Sequence, residues 1–146
     1  MPAGTSPELA LGGGASRGAP SLTASRPADE DFCYLTTRGR TSGREHTIEI
    51  WFAWDGESVV YLLSGGRDRS DWVKNLQADP SVTLRIGAQM WSGRARLVEA
   101  GEEDERARSL VMAKYQPRYG GDLSAWRRRS LPVAVDLAQL EAEGRR

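Results

Sequence analysis

The chain has 146 residues, 39% of them apolar, and its basic and acidic residues balance at 20 each. That length suits one domain with a modest core, and zero net charge leaves no overall field to draw the molecule toward nucleic acid or an anionic membrane, so any anion site must be local. A single cysteine, Cys33, and a single histidine, His46, exclude an internal disulfide, a Cys-rich zinc cluster and a metal site built on several imidazoles.

Residues 1–30 are rich in Gly, Ala, Ser, Pro and Thr and bury too little to offset their chain entropy, so a disordered tail is expected there. The start lacks a basic region followed by an apolar one, and no stretch approaches the roughly 18 apolar residues of a membrane span. A cytoplasmic protein with no membrane span and no bound metal is expected.

From Phe32 the pattern turns to strands and turns. Phe32–Thr37 is a β-type run, and in His46–Trp54 the residues Ile48, Ile50, Phe52 and Trp54 share one face by period two. Asp55-Gly56 is a hairpin signal, Ser58–Ser64 is a strand apolar on both faces, and Gly65-Gly66 ends it. Ser70 is a good N-cap for a helix carrying Trp72, Val73 and Leu76 on one side, and Asp79-Pro80 stops it. Val82, Leu84 and Ile86 alternate as a fourth strand, and Met90–Val98 follows as a fifth. Glu102–Gln116 reads as a helix with acidic residues in its first turn, ended by Pro117, and Asp122–Arg129 as a short second one. Leu131–Leu137, with Pro132 near its start, is a sixth strand, and residues 139–146 form a charged tail. Six strands within residues 31–138, joined mostly by short turns, predict a mainly β, α+β domain closed as a small barrel with helices outside.

Two loops carry anion-binding chemistry. Thr36–Arg44 holds three arginines, two glycines and several hydroxyls, the groups a phosphate or polycarboxylate requires. Ser64–Ser70 runs from a strand end into a helix start, with Gly65 and Gly66 permitting close approach and Arg67 and Arg69 beside them. Eighteen of the 20 basic residues are arginine, so a polar hairpin tip and an ordinary strand-to-helix turn remain the plain alternatives. Glu49 shares a face with Trp51 and is expected to pair with Arg85, Arg94 or Arg96. Tyr115 continues the apolar face of its helix and reads as core, whereas Tyr119 lies on a turn suited to a lid.

The string Leu35-Thr36-Thr37-Arg38-Gly39-Arg40-Thr41-Ser42-Gly43-Arg44 resembles the Leu-Thr-Thr-x-Gly-Arg-x-Ser-Gly signature of the deazaflavin-dependent nitroreductase and quinone reductase family. Trp72-Val73-Lys74-Asn75-Leu76-Gln77-Ala78-Asp79-Pro80 is similar to that family's Trp-x-x-Asn-Leu-x-Ala-x-Pro segment. The resemblance implies a six-stranded split β-barrel of the FMN-binding kind, with coenzyme F-420 as hydride carrier and a quinone, nitroaromatic or activated alkene as acceptor. It implies cofactor contacts at Arg40, Thr41, Ser42, Gly43, Arg44, Ser64, Gly65 and Gly66, and His46, Arg67, Trp72 and Asn75 join them as candidates. It implies a substrate side lined by Tyr115 and Tyr119; Tyr119, or bulk water, is expected to supply the proton. A related barrel binding FMN or haem, and a non-catalytic carrier of a cofactor or lipid, remain open alternatives. The partners expected are a small-molecule substrate and cofactor, not nucleic acid, in a monomer or homodimer.

Overall fold

In the computed structural model, which describes residues 26–138, Cys33–Arg38 (β1) pairs antiparallel with Glu45–Ile50 (β2) and with Ser81–Ile86 (β5). Gln89–Leu97 (β6) joins β5 to Leu131–Leu137 (β7), which pairs with Val59–Ser64 (β4), and β4 pairs with the two-residue strand Ala53–Trp54 (β3). The sheet order is β2-β1-β5-β6-β7-β4-β3, antiparallel throughout. Its two outermost strands, β2 and β3, are separated in the chain only by Trp51-Phe52. Two residues reach about 7 Å when extended, so the sheet must curl until its ends meet.

Seven strands therefore stand where six were expected. The predicted single strand His46–Trp54 keeps its alternation without a break: Ile50 and Phe52 lie in the inner core, with Ile48 and Trp54 packed against it, while Trp51 and Ala53 face outward. What changes at Trp51-Phe52 is the hydrogen-bonding partner, from β1 to β4. Periodicity reports which face a side chain takes, not which neighbour its backbone bonds.

The inner core is closed by the helix Asp71–Ala78 (α1), whose Trp72, Val73 and Leu76 join Leu35, Leu62 and Leu84. Each such fully buried side chain contributes roughly 1.5–3 kcal/mol. A second core lies outside β3, β4 and β7, covered by Glu102–Tyr115 (α2) and Ser124–Arg129 (α3). Among the described residues no helix covers the outer face of β1, β5 and β6; Tyr34, Arg85 and Met90 form one row across it and Thr36, Thr83 and Ser92 the next.

Helix ends follow the sequence closely. Glu102–Tyr115 differs from expectation by one residue. The last helix starts at Ser124 rather than Asp122, because Asp122 Oδ1 accepts from both the amide (2.9 Å) and the hydroxyl (2.6 Å) of Ser124. Pro27–Asp29 forms one 3-10 turn where the N-terminal tail was expected to continue; residues 1–25 and 139–146, including the rest of both expected tails, lie outside the described residues. Among the described residues no helix is long and apolar enough to cross a membrane.

Candidate functional site

The β1–β2 loop folds on its own backbone: Gly39 N–H donates to Arg44 O (2.7 Å) and Gly43 N–H to Gly39 O (2.8 Å), with Gly43 at φ 77° where a side chain would be strained. Ser42 Oγ accepts the Arg44 amide at 3.0 Å, and a Cβ on Gly39 would fall 2.7 Å from His46 Nε2, so the imidazole lies against the glycine. Thr41, Ser42, Gly43, Arg44 and His46 are all exposed. Among the described residues, the amides of Thr41 and Ser42 have no backbone or side-chain acceptor, and Arg44 has no carboxylate partner.

Arg40, by contrast, is engaged. Its amide (3.1 Å) and Nη1 (2.7 Å) both donate to Asn75 Oδ1, and its Nη2 donates to Asp71 Oδ1 at 3.2 Å. Asn75 is 4% exposed and donates from Nδ2 to Thr37 Oγ1 at 3.2 Å. Three of the four hydrogen-bonding positions of its amide are thus filled by β1 and the loop, and the loop is fixed to the first two turns of α1. Trp72, one helical turn earlier, is buried in the core with its indole N–H unpartnered among the described residues; it positions α1 rather than presenting a surface.

In the turn from β4 into α1 the two serine hydroxyls bond within the turn and Arg67 bonds outside it, while the Arg69 guanidinium has no partner among the described residues. Buried Ser64 Oγ donates to Arg67 O at 2.9 Å and lies 2.9 Å from Ser70 Oγ, which explains why Ser70 caps α1 in backbone position without a side-chain capping bond. A Cβ on Gly66 would stand 2.6 Å from Ser70 Oγ. Arg67, at φ 55°, donates from Nη1 to the carbonyls of Arg129 (2.7 Å) and Ser130 (3.1 Å), satisfying the open end of α3. Gly65 lies on the indole of Trp126, 3.3 Å from Nε1 to a Cβ placed on it.

The two loops therefore meet at one place. Arg40 contacts Asp71, the residue after Ser70, and Ser70 closes the Ser64–Gly66 turn. From Gly65 the contacts continue through Trp126 to Trp51 (edge-on, 5.5 Å), and from Trp51 to Tyr115 (stacked, 4.2 Å) and Tyr119 (edge-on, 5.9 Å). Tyr115 is 2% exposed, and its hydroxyl donates to Asp31 O (2.7 Å) and accepts the Phe52 N–H (3.1 Å); burial pushes its pKa well up. Tyr119 is half-buried. Sequence reasoning missed Trp51, Asp71 and Lys114. Lys114 Nζ donates to Phe52 O at 3.1 Å, so the peptide at the strand crossing is held from both sides by the end of α2. The signal for it was one of two lysines in an arginine-rich chain, set directly before the core tyrosine of that helix.

Two further placements differ from expectation. Glu49 has no arginine partner among the described residues; Tyr34 Oη donates to it at 3.4 Å, and Arg85 lies over the Tyr34 ring at 4.4 Å. Arg96 instead bonds Glu103 and Asp136. That pairing, with a hydrogen bond from Tyr61, holds the Glu103 carboxyl down at about 2. A groove of about 880 Å³ lies on the outer sheet face, floored by Thr36, Thr83 and Ser92 and rimmed by Arg38, Arg94 and Asp79. None of the cofactor or substrate residues expected from the sequence lines it.

Comparison with known proteins bears on the family and the fold. The profile of the family described as F420H(2)-dependent quinone reductase matches residues 18–138. An F420H(2)-dependent quinone reductase of Mycobacterium tuberculosis is 30% identical over 104 residues, 69% of this chain and 68% of that protein. Among solved structures, an F420-H2 dependent reductase (FDR-A) superposes with a TM-score of 0.59 at 22% identity, covering 77% of this chain and 100% of that one. A heme storage protein from Vibrio cholerae superposes with a TM-score of 0.56 at 16% identity, covering 77% and 85%. At those identities the two structures speak for the fold alone. The profile match, spanning more than three quarters of the sequence, makes this chain a member of the F420H(2)-dependent quinone reductase family.

Proposed function

We propose that the protein passes a hydride from reduced coenzyme F-420 to a quinone, holding the anionic end of the cofactor at the β1–β2 loop and its ring beside the Gly65-Gly66 turn. The activity follows from the family; the placement rests on the convergence of both loops on the first turn of α1, through Arg40–Asp71 on one side and Ser64–Ser70 on the other. The same curled sheet, whose ends meet at Trp51-Phe52, supports reading the fold as a split barrel of the FMN-binding kind.

The residues present fit a phosphorylated, carboxylated cofactor. The amides of Thr41 and Ser42 and the Arg44 guanidinium, without acceptors among the described residues, form with the hydroxyls of Thr41 and Ser42 an anion-binding donor set on one exposed bend, and each charge-assisted hydrogen bond contributes roughly 1.5–3 kcal/mol. His46 adds a further ring nitrogen at the same bend. Gly65 and Gly66 let the turn pack directly on Trp126 and Ser70 Oγ, which fixes the backbone edge that would contact a planar group. When bound, the deazaflavin supplies the carbon that donates the hydride.

The chain's own part is orientation, exclusion of water and the proton. Asn75 and Asp71 fix Arg40 and hence the loop, so the anionic end has a defined seat. The Trp51–Trp126 wall excludes water beneath the Gly65 turn. Tyr115 already donates its hydroxyl proton to Asp31 O, which leaves half-buried Tyr119, or water, to protonate the reduced quinone oxygen. Titration with oxidised and reduced coenzyme F-420, followed by oxidation of the reduced form by menadione, tests the reading. Saturable binding with menadione-dependent turnover is expected; binding without turnover would identify a carrier, and tight FMN binding without F-420 binding would overturn the cofactor assignment.

A further inference from the structure

The reaction proposed above leaves the outer face of the sheet unused, and the residues of that face stand in three rows. Arg38 pairs with Glu45 on β2 and Ser81 with Arg94 on β6, and continuing the β1–β5 register by two residues sets Arg38 beside Ser81. The first row therefore runs Glu45, Arg38, Ser81, Arg94 from β2 to β6. Strand alternation puts Thr47, Thr36, Thr83 and Ser92 in the second row, three of them flooring the groove, and Glu49, Tyr34, Arg85 and Met90 in the third. Met90, 64% exposed, is the one large apolar side chain open to solvent among the described residues.

The charges of the first row are not matched within the described chain. Arg38 is taken up by Asp79 (3.4 Å) and the carbonyl of Gly43 (3.2 Å). Asp136, the cross-strand neighbour of Arg94, gives both carboxylate oxygens to Arg96, at 2.7 and 3.1 Å. Glu45 and Arg94 are left, both exposed and both without an ion-pair partner among the described residues. They are opposite in sign and stand at the two ends of the row, three strands or roughly 14 Å apart.

We infer that this face docks a second copy of the chain about a two-fold axis running along the strands, with Glu45 of each copy against the partner's Arg94. A two-fold contact that brings residue i to j also brings j to i, so a row with opposite unmatched charges at its ends satisfies both at once. The same axis, midway between β1 and β5, sets Tyr34 against the partner's Arg85, a ring against a guanidinium, and Met90 against the stem of the partner's Glu49. The hydroxyl rows face each other, and water bridges them across the joined grooves. A two-fold axis across the strands instead sets like strand on like strand, so that Glu45 meets the partner's Glu45 or Glu49; like charges select against it. Strand spacing and rise give a face of roughly 20 by 25 Å. About 500 Å² a copy places the contact at the transient end of specific interfaces, with half-association expected at about 10–100 µM protein.

Sedimentation velocity of the full chain from about 1 to about 500 µM tests the inference, and a concentration-dependent passage from monomer to dimer is expected. Arg94→Glu and Glu45→Arg each set like charges face to face and should weaken association at least about tenfold. The double exchange Glu45→Arg with Arg94→Glu should restore it to within about threefold of the wild type. Melting curves of the same variants report whether each is folded. The wild-type dimer should itself weaken at least about threefold between about 0.05 and about 0.5 M NaCl, a readout that needs no variant. A chain that stays monomeric throughout, a dimer indifferent to salt and to both single exchanges, or folded variants whose double exchange fails to restore association overturns the inference. Coenzyme F-420 binding and menadione turnover read the proposed function separately, and neither outcome there alters this one.

Discussion

The β1–β2 loop and the β4–α1 turn look alike as strings, each with glycines, hydroxyls and arginines, yet the structure uses them differently. In the turn the hydroxyls of Ser64 and Ser70 bond within the turn and Arg67 holds the end of α3. In the loop Arg40 is bound inward, while among the described residues the Arg44 guanidinium and the amides of Thr41 and Ser42 have no acceptor. An arginine count therefore says little about where an anion binds; what matters is where guanidinium, amide and hydroxyl donors without another partner cluster. On the proposed reading the turn supplies shape and the loop supplies grip.

The largest expected effect is at the residue joining them. Asn75→Leu leaves the Arg40 amide and Thr37 without a partner and should cost about 2–3 kcal/mol of stability, read as a fall in Tm with a loss of cofactor affinity. Thermal melts and F-420 titration of the same variant check both.

Next comes a pair of arginines that should behave in opposite ways. Arg44→Ala is expected to weaken F-420 binding by roughly 10- to 100-fold, from one or two lost charge-assisted bonds, with Tm unchanged. Arg67→Ala should lower Tm by about 2–4 °C, as loss of roughly 1 kcal/mol does in a chain of this size, and change affinity by less than about threefold. Equal effects of the two on binding would erase the distinction between loop and turn.

Gly66→Ala places a Cβ 2.6 Å from Ser70 Oγ and must displace a hydroxyl bonded to Ser64. A loss of about 1 kcal/mol is expected, visible in urea unfolding. Smallest, and away from both loops, is an acid effect. Glu103 is held at about 2 against an ordinary 4.5, so its contribution is complete above about pH 4.5 and fades as the pH falls toward 2. Glu103→Gln should flatten the stability profile in that window.

How much of this was legible in the sequence follows from what each signal measures. The period-two run Ile48, Ile50, Phe52, Trp54 gave its face correctly, and Ser70, Asp79-Pro80 and Pro117 gave the helix ends. The switch of partner at Trp51-Phe52 was not legible, because Phe52 keeps its face while its backbone passes from β1 to the hold of Lys114 and Tyr115. The candidate residues of both loops were legible as chemistry. Their roles were not, since the contacts that distinguish Arg40 and Arg67 from Arg44 reach 31 residues or more along the chain.

Backbone amide hydrogen exchange, followed with and without coenzyme F-420, tests the central claim most directly. The account predicts new protection at Thr41 and Ser42, and none at Thr83 and Ser92 in the 880 Å³ groove on the outer face. Protection confined to that groove, with the β1–β2 loop exchanging as before, would contradict it.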